Sequence, residues 1–158
     1  MPAIAVGISP AFGGLKWTPR KISGLVYWLD ANDLSTLFQN STLTTPVTAD
    51  SDPVGGWKDK TSGSTSNVYN STADRYPLYK TNIQNGKPGV LFDGSNDRMA
   101  FNGLPELDGT ATVIVVCKTV DNNAFTYLLH LCRNTGNVYN IYLTVNTSAN
   151  VCNAAVFD

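Results

Sequence analysis

Apolar residues recur at every second position along most of this chain, and that period excludes a helical architecture before anything else is considered. "GLVYWLD" (24–30) alternates, with Leu25, Tyr27 and Leu29 on one face and Val26 and Trp28 on the other. "ATVIVVCKTV" (111–120) is a β-branched run that reads as a central strand buried on both faces. "AFTYLLHLC" (124–132), "VYNIYLTV" (138–145) and "VCNAAVF" (151–157) follow at strand-plus-turn spacing. Between them lie "DNN" (121–123), "RNTGN" (133–137) and "NTSAN" (146–150), all built of turn-forming residues. One short stretch, "ANDLSTLF" (31–38), reads as one or two helical turns capped by Asn32 or Asp33. Evenly spaced short strands without long helices predict an all-β chain, an antiparallel β-sandwich. Residues 1–22 read as an extended N-terminal arm and 23–158 as the sandwich domain. Within the latter, 39–75 is a long excursion rich in Ser, Thr and Asn.

Charge sets the next bound. Only 15% of residues are charged and the net charge is −1, so no basic face is available for nucleic acid. Lys16, Arg20 and Lys21 are the densest basic group and read as a solvated approach to the first strand. No apolar run approaches the ~20 residues that cross a bilayer as a helix. "MPAIAVGISPAFGG" has neither a cationic n-region nor a long apolar h-region, which argues against a secretory signal. Cys117, Cys132 and Cys152 share no C-x-x-C spacing and lie in apolar, strand-like contexts. They read as reduced, buried small hydrophobes of a protein assembled in a reducing compartment. The sequons at Asn40, Asn70 and Asn146 follow from a composition dense in Asn, Ser and Thr, and read as chance.

Four segments then form an ordered series: "SGLVYWLDA" (23–31), "WKDKTSG" (57–63), "YPLYKTNIQNGKPGVLFDGSND" (76–97) and "TATVIVVCK" (110–118). The series resembles the concanavalin A-like, laminin G-like jelly-roll domains of bacterial surface proteins and tailed-phage virion proteins. Their pattern runs "GL-x-x-W-x-D-A", then "W-x-D-x-S-G", then "N-G-x-P-x-(V/I)-x-F-D-G-x-x-D", and the likeness spans about 23 to 120. "KDKTSG" departs from it by a one-residue extension of the turn. The resemblance implies a jelly roll and a virion location after assembly in the host cytoplasm. It says little about ligand, because the shared residues have folding reasons. Asn85-Gly86 suits a tight turn, since both residues accept positive φ. Phe92, like Trp28, is expected in the core. Asp93 is expected to bond its own loop amides, and Asp97 to close that loop.

The chemistry is weighed against that background. Glucanases of this fold pair two glutamates on one strand, but Glu106 is the only glutamate here and follows Pro105. An Asp93–Asp97 substitute would be solvated and low in pKa rather than a raised acid. His130, the only histidine, alternates with Leu129 and Leu131 and has no G-x-S-x-G partner. No catalytic residue is assigned. Asp93, Asn96 and Asp97 offer the hard oxygens calcium requires, with a plain turn the preferred reading. Trp57 reads as a packed edge residue rather than a sugar platform. Tyr69, Tyr76, Tyr79, Tyr139 and Tyr142, taken as exposed, suit either a glycan or a subunit interface. The expectation is a non-enzymatic virion structural protein, a capsid decoration or tail or fibre component, contacting other virion proteins. The alternative is a glycan-binding adhesin module with a surface glycan as its ligand. The apolar strand 151–157, left at an edge, leaves two expectations, a longer native chain that completes the sandwich or cover by other protein, most simply in a symmetric homo-oligomer.

Overall fold

Strands account for nearly all the regular structure, and no α-helix occurs among the described residues. The structure, a computed structural model, describes residues 3–6, 17–61, 63–103, 111–118, 125–132, 140–146 and 151–157. The chain divides into two units, Met1–Cys117 and Lys118–Asp158.

The first unit begins with β1 (Ala3–Val6), which lies between β2 (Leu25–Leu29) and β9 (Thr112–Val115) and runs parallel to both. These four residues come from the stretch expected as an arm. A parallel pair needs a crossover of a dozen or more residues, and 7–24 is long enough to supply one. The other sheets are antiparallel. β3 (Leu37–Phe38), β4 (Gly56–Lys58), β5 (Asn67–Tyr69) and β8 (Ala100–Asn102) form one in that order, and β6 (Leu78–Gln84) pairs with β7 (Lys87–Leu91).

Register decides where the core lies. Leu37 pairs with Trp57, Trp57 with Val68, and Val68 with Phe101. Directly paired residues share a face, so these four side chains form one apolar row. Leu37, Trp57 and Val68 are buried, and the Tyr27 ring of β2 meets Phe101 edge-on at 5.1 Å. Gly55 and Gly56 let the chain into β4, because a Cβ on either would collide with the Asn40 backbone at 2.8 and 2.9 Å.

Several expectations change here. The excursion 39–75 contains β4 and β5, both internal strands, so Trp57 is packed but not at an edge. Its strands are three residues each, too short for alternation to stand out from the flanking loops. The run at 111–120 is not a strand buried on both faces. β9 is the outer strand of its sheet and alternates in burial, with Ile114 44% and Val116 52% exposed. β-branched residues favour any strand and do not distinguish centre from edge. Trp28 is buried as expected, whereas Phe92 is 44% exposed because β7 ends at Leu91. The turns expected in 31–38 amount to one 3-10 turn at Leu34–Thr36, capped by the Asp33 carboxylate on Ser35 N, before β3 begins.

In the second unit β10 (Phe125–Cys132), β11 (Asn140–Asn146) and β12 (Val151–Phe157) form an antiparallel sheet in that order. These strands match the sequence reading. His130 sits opposite Tyr142 in the ladder. Within this sheet β10 and β12 are the outer strands.

Candidate functional site

Aspartates do most of the polar work in the first unit. Asp59 follows β4 on the same face as Trp57 and is buried. Its Oδ1 accepts from Trp28 N at 2.7 Å, Thr61 N at 2.9 Å and Thr61 Oγ1 at 2.8 Å. The neighbouring Lys60 N–H donates to the Trp28 carbonyl at 2.8 Å. Both backbone groups of Trp28 are thus satisfied from a segment 31 and 32 residues away. The Lys60 ammonium meets Asp30 at 2.8 Å and Asp33 at 2.9 Å, and lies 4.3 Å from the Trp28 ring centroid. Arg20, exposed, also lies over that ring at 5.4 Å. Burial lowers the Lys60 pKa, but the hydrogen bonds from Asp30 and Asp33 outweigh it and the net shift is upward. Burial likewise opposes the net downward shift of Asp33, which the bonds from Ser35 and Lys60 produce.

The loop at 93–97 uses the same chemistry locally. Asp93 Oδ1 accepts from Ser95 N at 2.8 Å and from Asn96 N and Asp97 N at 3.2 Å, while Asp93 N donates to Asp97 Oδ2 at 2.9 Å. The backbone bond from Ser95 leads the causes that hold the Asp93 carboxyl below its ordinary value. Asp93 and Asp97 close the loop as expected, and one oxygen of each is committed to backbone amides. The structure brings Asp93, Asn96 and Asp97 together as a turn, and Asn96 contributes its N–H to it. The preceding hairpin turn has Asn85 at φ 52° and Gly86 at φ 72°, the left-handed pair that its sequence predicts.

A pocket of about 250 Å³ opens beside β5 and β8, lined by residues 69–72 and 98–100. Tyr69 pairs with Ala100 on the face opposite the Trp57–Val68–Phe101 row. A methyl group opposite the phenol leaves the ring only half-buried. Buried Asn70 ties the two walls together: its Nδ2 donates to Arg98 O at 2.7 Å, and its Oδ1 accepts from Thr72 N at 3.0 Å. Arg98 N donates to Arg75 O at 3.3 Å, so the backbone that carries this exposed side chain is held on both sides.

Other expected residues are distributed as follows. Tyr79 is buried, not exposed, because it sits in the β6–β7 hairpin where its N–H and carbonyl engage Asp52 and Ser51. Tyr76 is half-buried against Gly55. Cys117 is exposed rather than buried, one residue past the most exposed valine beyond β9. Asn40 and Asn70 both use their side-chain amides in loop hydrogen bonds, and the Asn146 side chain lies outside the described residues. Glu106, Tyr139 and Lys16 lie outside the described residues, as do the side chains of Tyr142, Cys132, Cys152 and His130.

The sequence reading gave Asp59, Asn70 and Arg98 no structural or binding role. A D-x-T spacing after a buried tryptophan carries the signal of an Asx turn for Asp59. Nothing in the sequence could have placed Tyr69 opposite Ala100, since that pairing joins residues 31 apart. No family model, curated protein or solved structure matches this chain significantly.

Proposed function

We propose that this chain is a non-enzymatic jelly-roll module of a tailed-phage particle, a capsid decoration protein or a tail or fibre component. One observation carries the non-enzymatic part. The carboxylates of Asp30, Asp33, Asp59, Asp93 and Asp97 are engaged by the chain's own amides and by the Lys60 ammonium. Asp59 fixes β2, Asp30 and Asp33 hold Lys60, and Asp93 and Asp97 close a turn. A general acid needs a carboxyl pushed up in pKa, whereas Asp33, Asp50, Asp52 and Asp93 are all pushed down. The particle location draws on the resemblance over 23 to 120 and on a surface poor in charge.

Mass spectrometry of density-purified particles tests the location, with the chain expected at a fixed stoichiometry to the major capsid or tail protein. Its absence from every particle band sinks the reading. The glycan-binding alternative is favoured by the pocket beside Tyr69. A calcium ion at Asp93, Asn96 and Asp97 is the weaker companion proposal, since the loop amides already occupy Asp93 Oδ1.

A further inference from the structure

We infer that the pocket between β5 and β8 binds a single carboxylate-bearing sugar unit. The inference rests on the module being a binder rather than a catalyst, and is independent of whether it rides on a particle.

Three features select that ligand class. The first is an unpaired guanidinium. Arg98 forms no salt bridge among the described residues, although an aspartate precedes it in the chain. Asp97 is turned back onto Asp93 N at 2.9 Å. The loop therefore takes up the carboxylate that precedes Arg98 in the chain, and among the described residues Arg98 has no carboxylate partner. A guanidinium offers a planar fork that fits a carboxylate with two parallel hydrogen bonds.

The second feature is an aromatic ring in the lining. The half-buried Tyr69, with Ala100 opposite it on the same face, offers an aromatic surface suited to the C–H face of a pyranose. Inorganic phosphate has no such face to offer. The third is hydroxyl chemistry on the rim. Ser71 and Thr72 line the pocket, and their hydroxyls make no hydrogen bond among the described residues. An aromatic carboxylate would leave them unanswered, while a sugar acid provides several partners.

Size and rigidity agree with this choice. At about 250 Å³ the space is below the range of ~300–1,000 Å³ that encloses drug-sized ligands, so it takes one ring and not an extended chain. Asn70 joins the wall at Thr72 to the wall at Arg98 by two hydrogen bonds, so the site is formed before the ligand arrives and little ordering is required on binding.

Titrating the full chain with galacturonate, galactose and inorganic phosphate, read by saturation-transfer NMR, tests the inference. Galacturonate is expected to saturate, with galactose about tenfold weaker and phosphate failing to displace it. Arg98→Gln, at an exposed position, should leave the melting temperature unchanged and bring galacturonate down to the galactose level. Tyr69→Ala should abolish both sugars, while Tyr69→Phe, which keeps the ring, should retain them and guards against a folding defect. No saturable binding by galacturonate overturns the inference. So does equal affinity for galactose, displacement by phosphate, or binding indifferent to Arg98→Gln. A flat titration leaves the particle measurement untouched, so the two readings fail separately.

Discussion

Asp59 and Asp93 perform the same chemical act in two different settings. Each carboxylate collects three donors on one oxygen, at 2.7–2.9 Å around Asp59 and 2.8–3.2 Å around Asp93. Asp59 is buried and reaches a backbone amide 31 residues away, whereas Asp93 is exposed and reaches no further than four. The first arrangement joins strands that the chain order keeps apart. The second shapes only its own loop. What separates a fold-holding aspartate from a turn-holding one here is therefore the sequence distance it spans and the water it excludes, not the number of bonds it makes.

That contrast is most directly broken at Asp59. Asp59→Ala should strand the buried Trp28 N–H and release β2 from β4, with a loss of ~3–5 kcal/mol. Denaturant unfolding of the variant checks it. A loss below about 1 kcal/mol would mean that water replaces the carboxylate and that Asp59 is no different from Asp93.

The aromatic residues on the two segments should divide in the same way. Trp28, at 7% exposure, should cost ~3–5 kcal/mol on truncation to Ala. Phe92, at 44%, should cost under ~1 kcal/mol. Melting temperatures of the two variants side by side decide whether the loop at 93–97 is as detached from the core as its hydrogen bonding says.

These two aromatics also mark how far the sequence could be read. Trp28 and Phe92 each lie near the end of an apolar run that stops at an aspartate, Asp30 and Asp93, and carry similar local signals. The difference lies in what their strands pair with. β2 faces the Leu37–Trp57–Val68–Phe101 row through Tyr27, while among the described residues β7 pairs only with β6. Period-two alternation was sufficient for the all-β class and for the strands at 25–29, 125–132, 140–146 and 151–157. It failed for β4 and β5, whose three residues hold barely one alternation. Turn chemistry was legible at Asn85-Gly86 and Asp93, where glycine marks the turn, but not at the equally local turns of Asp59 and Asp52. It was silent wherever a side chain acts across the fold, as Asp59 does on Trp28 and Asn70 on Arg98.

A smaller effect tests the loop itself. Asp93→Ala should lower the melting temperature, but by less than Asp59→Ala does, because the amides it caps are exposed and water can replace the carboxylate. Thermal unfolding of the wild type should be the same in chelator and in millimolar calcium. A calcium-dependent stabilisation that Asp93→Ala abolishes would turn this loop from a self-sufficient turn into a metal site. The comparison with Asp59 would then need a ligand on one side.

The smallest expected change at neutral pH is Tyr27→Phe, and it separates the buried side of the comparison from the exposed side by pH. The Tyr27 hydroxyl is buried without a hydrogen-bond partner among the described residues, so removing it should alter stability little at pH 7. Its pKa is raised above the ordinary 10.0, first by burial and then by the charge of Asp59. Above that ordinary value the unfolded chain releases the phenolic proton while the folded chain retains it, so stability falls as pH rises past about 10. Lys60, raised above 10.5, acts in the same direction, since its ion pairs stabilise fully below that value and are lost as pH climbs through the folded pKa. The exposed side titrates at the other end. Asp93 lies below 3.8 and Asp50 is held near about 2, chiefly by the Thr81 amide, so their contributions are present above 3.8 and fade as pH drops through the folded values. Melting temperature against pH should accordingly be flat between the two limbs. Tyr27→Phe should move the alkaline limb upward and leave the acid limb in place. An alkaline limb that Tyr27→Phe does not shift would mean the hydroxyl reaches solvent and titrates at its ordinary value in the folded chain.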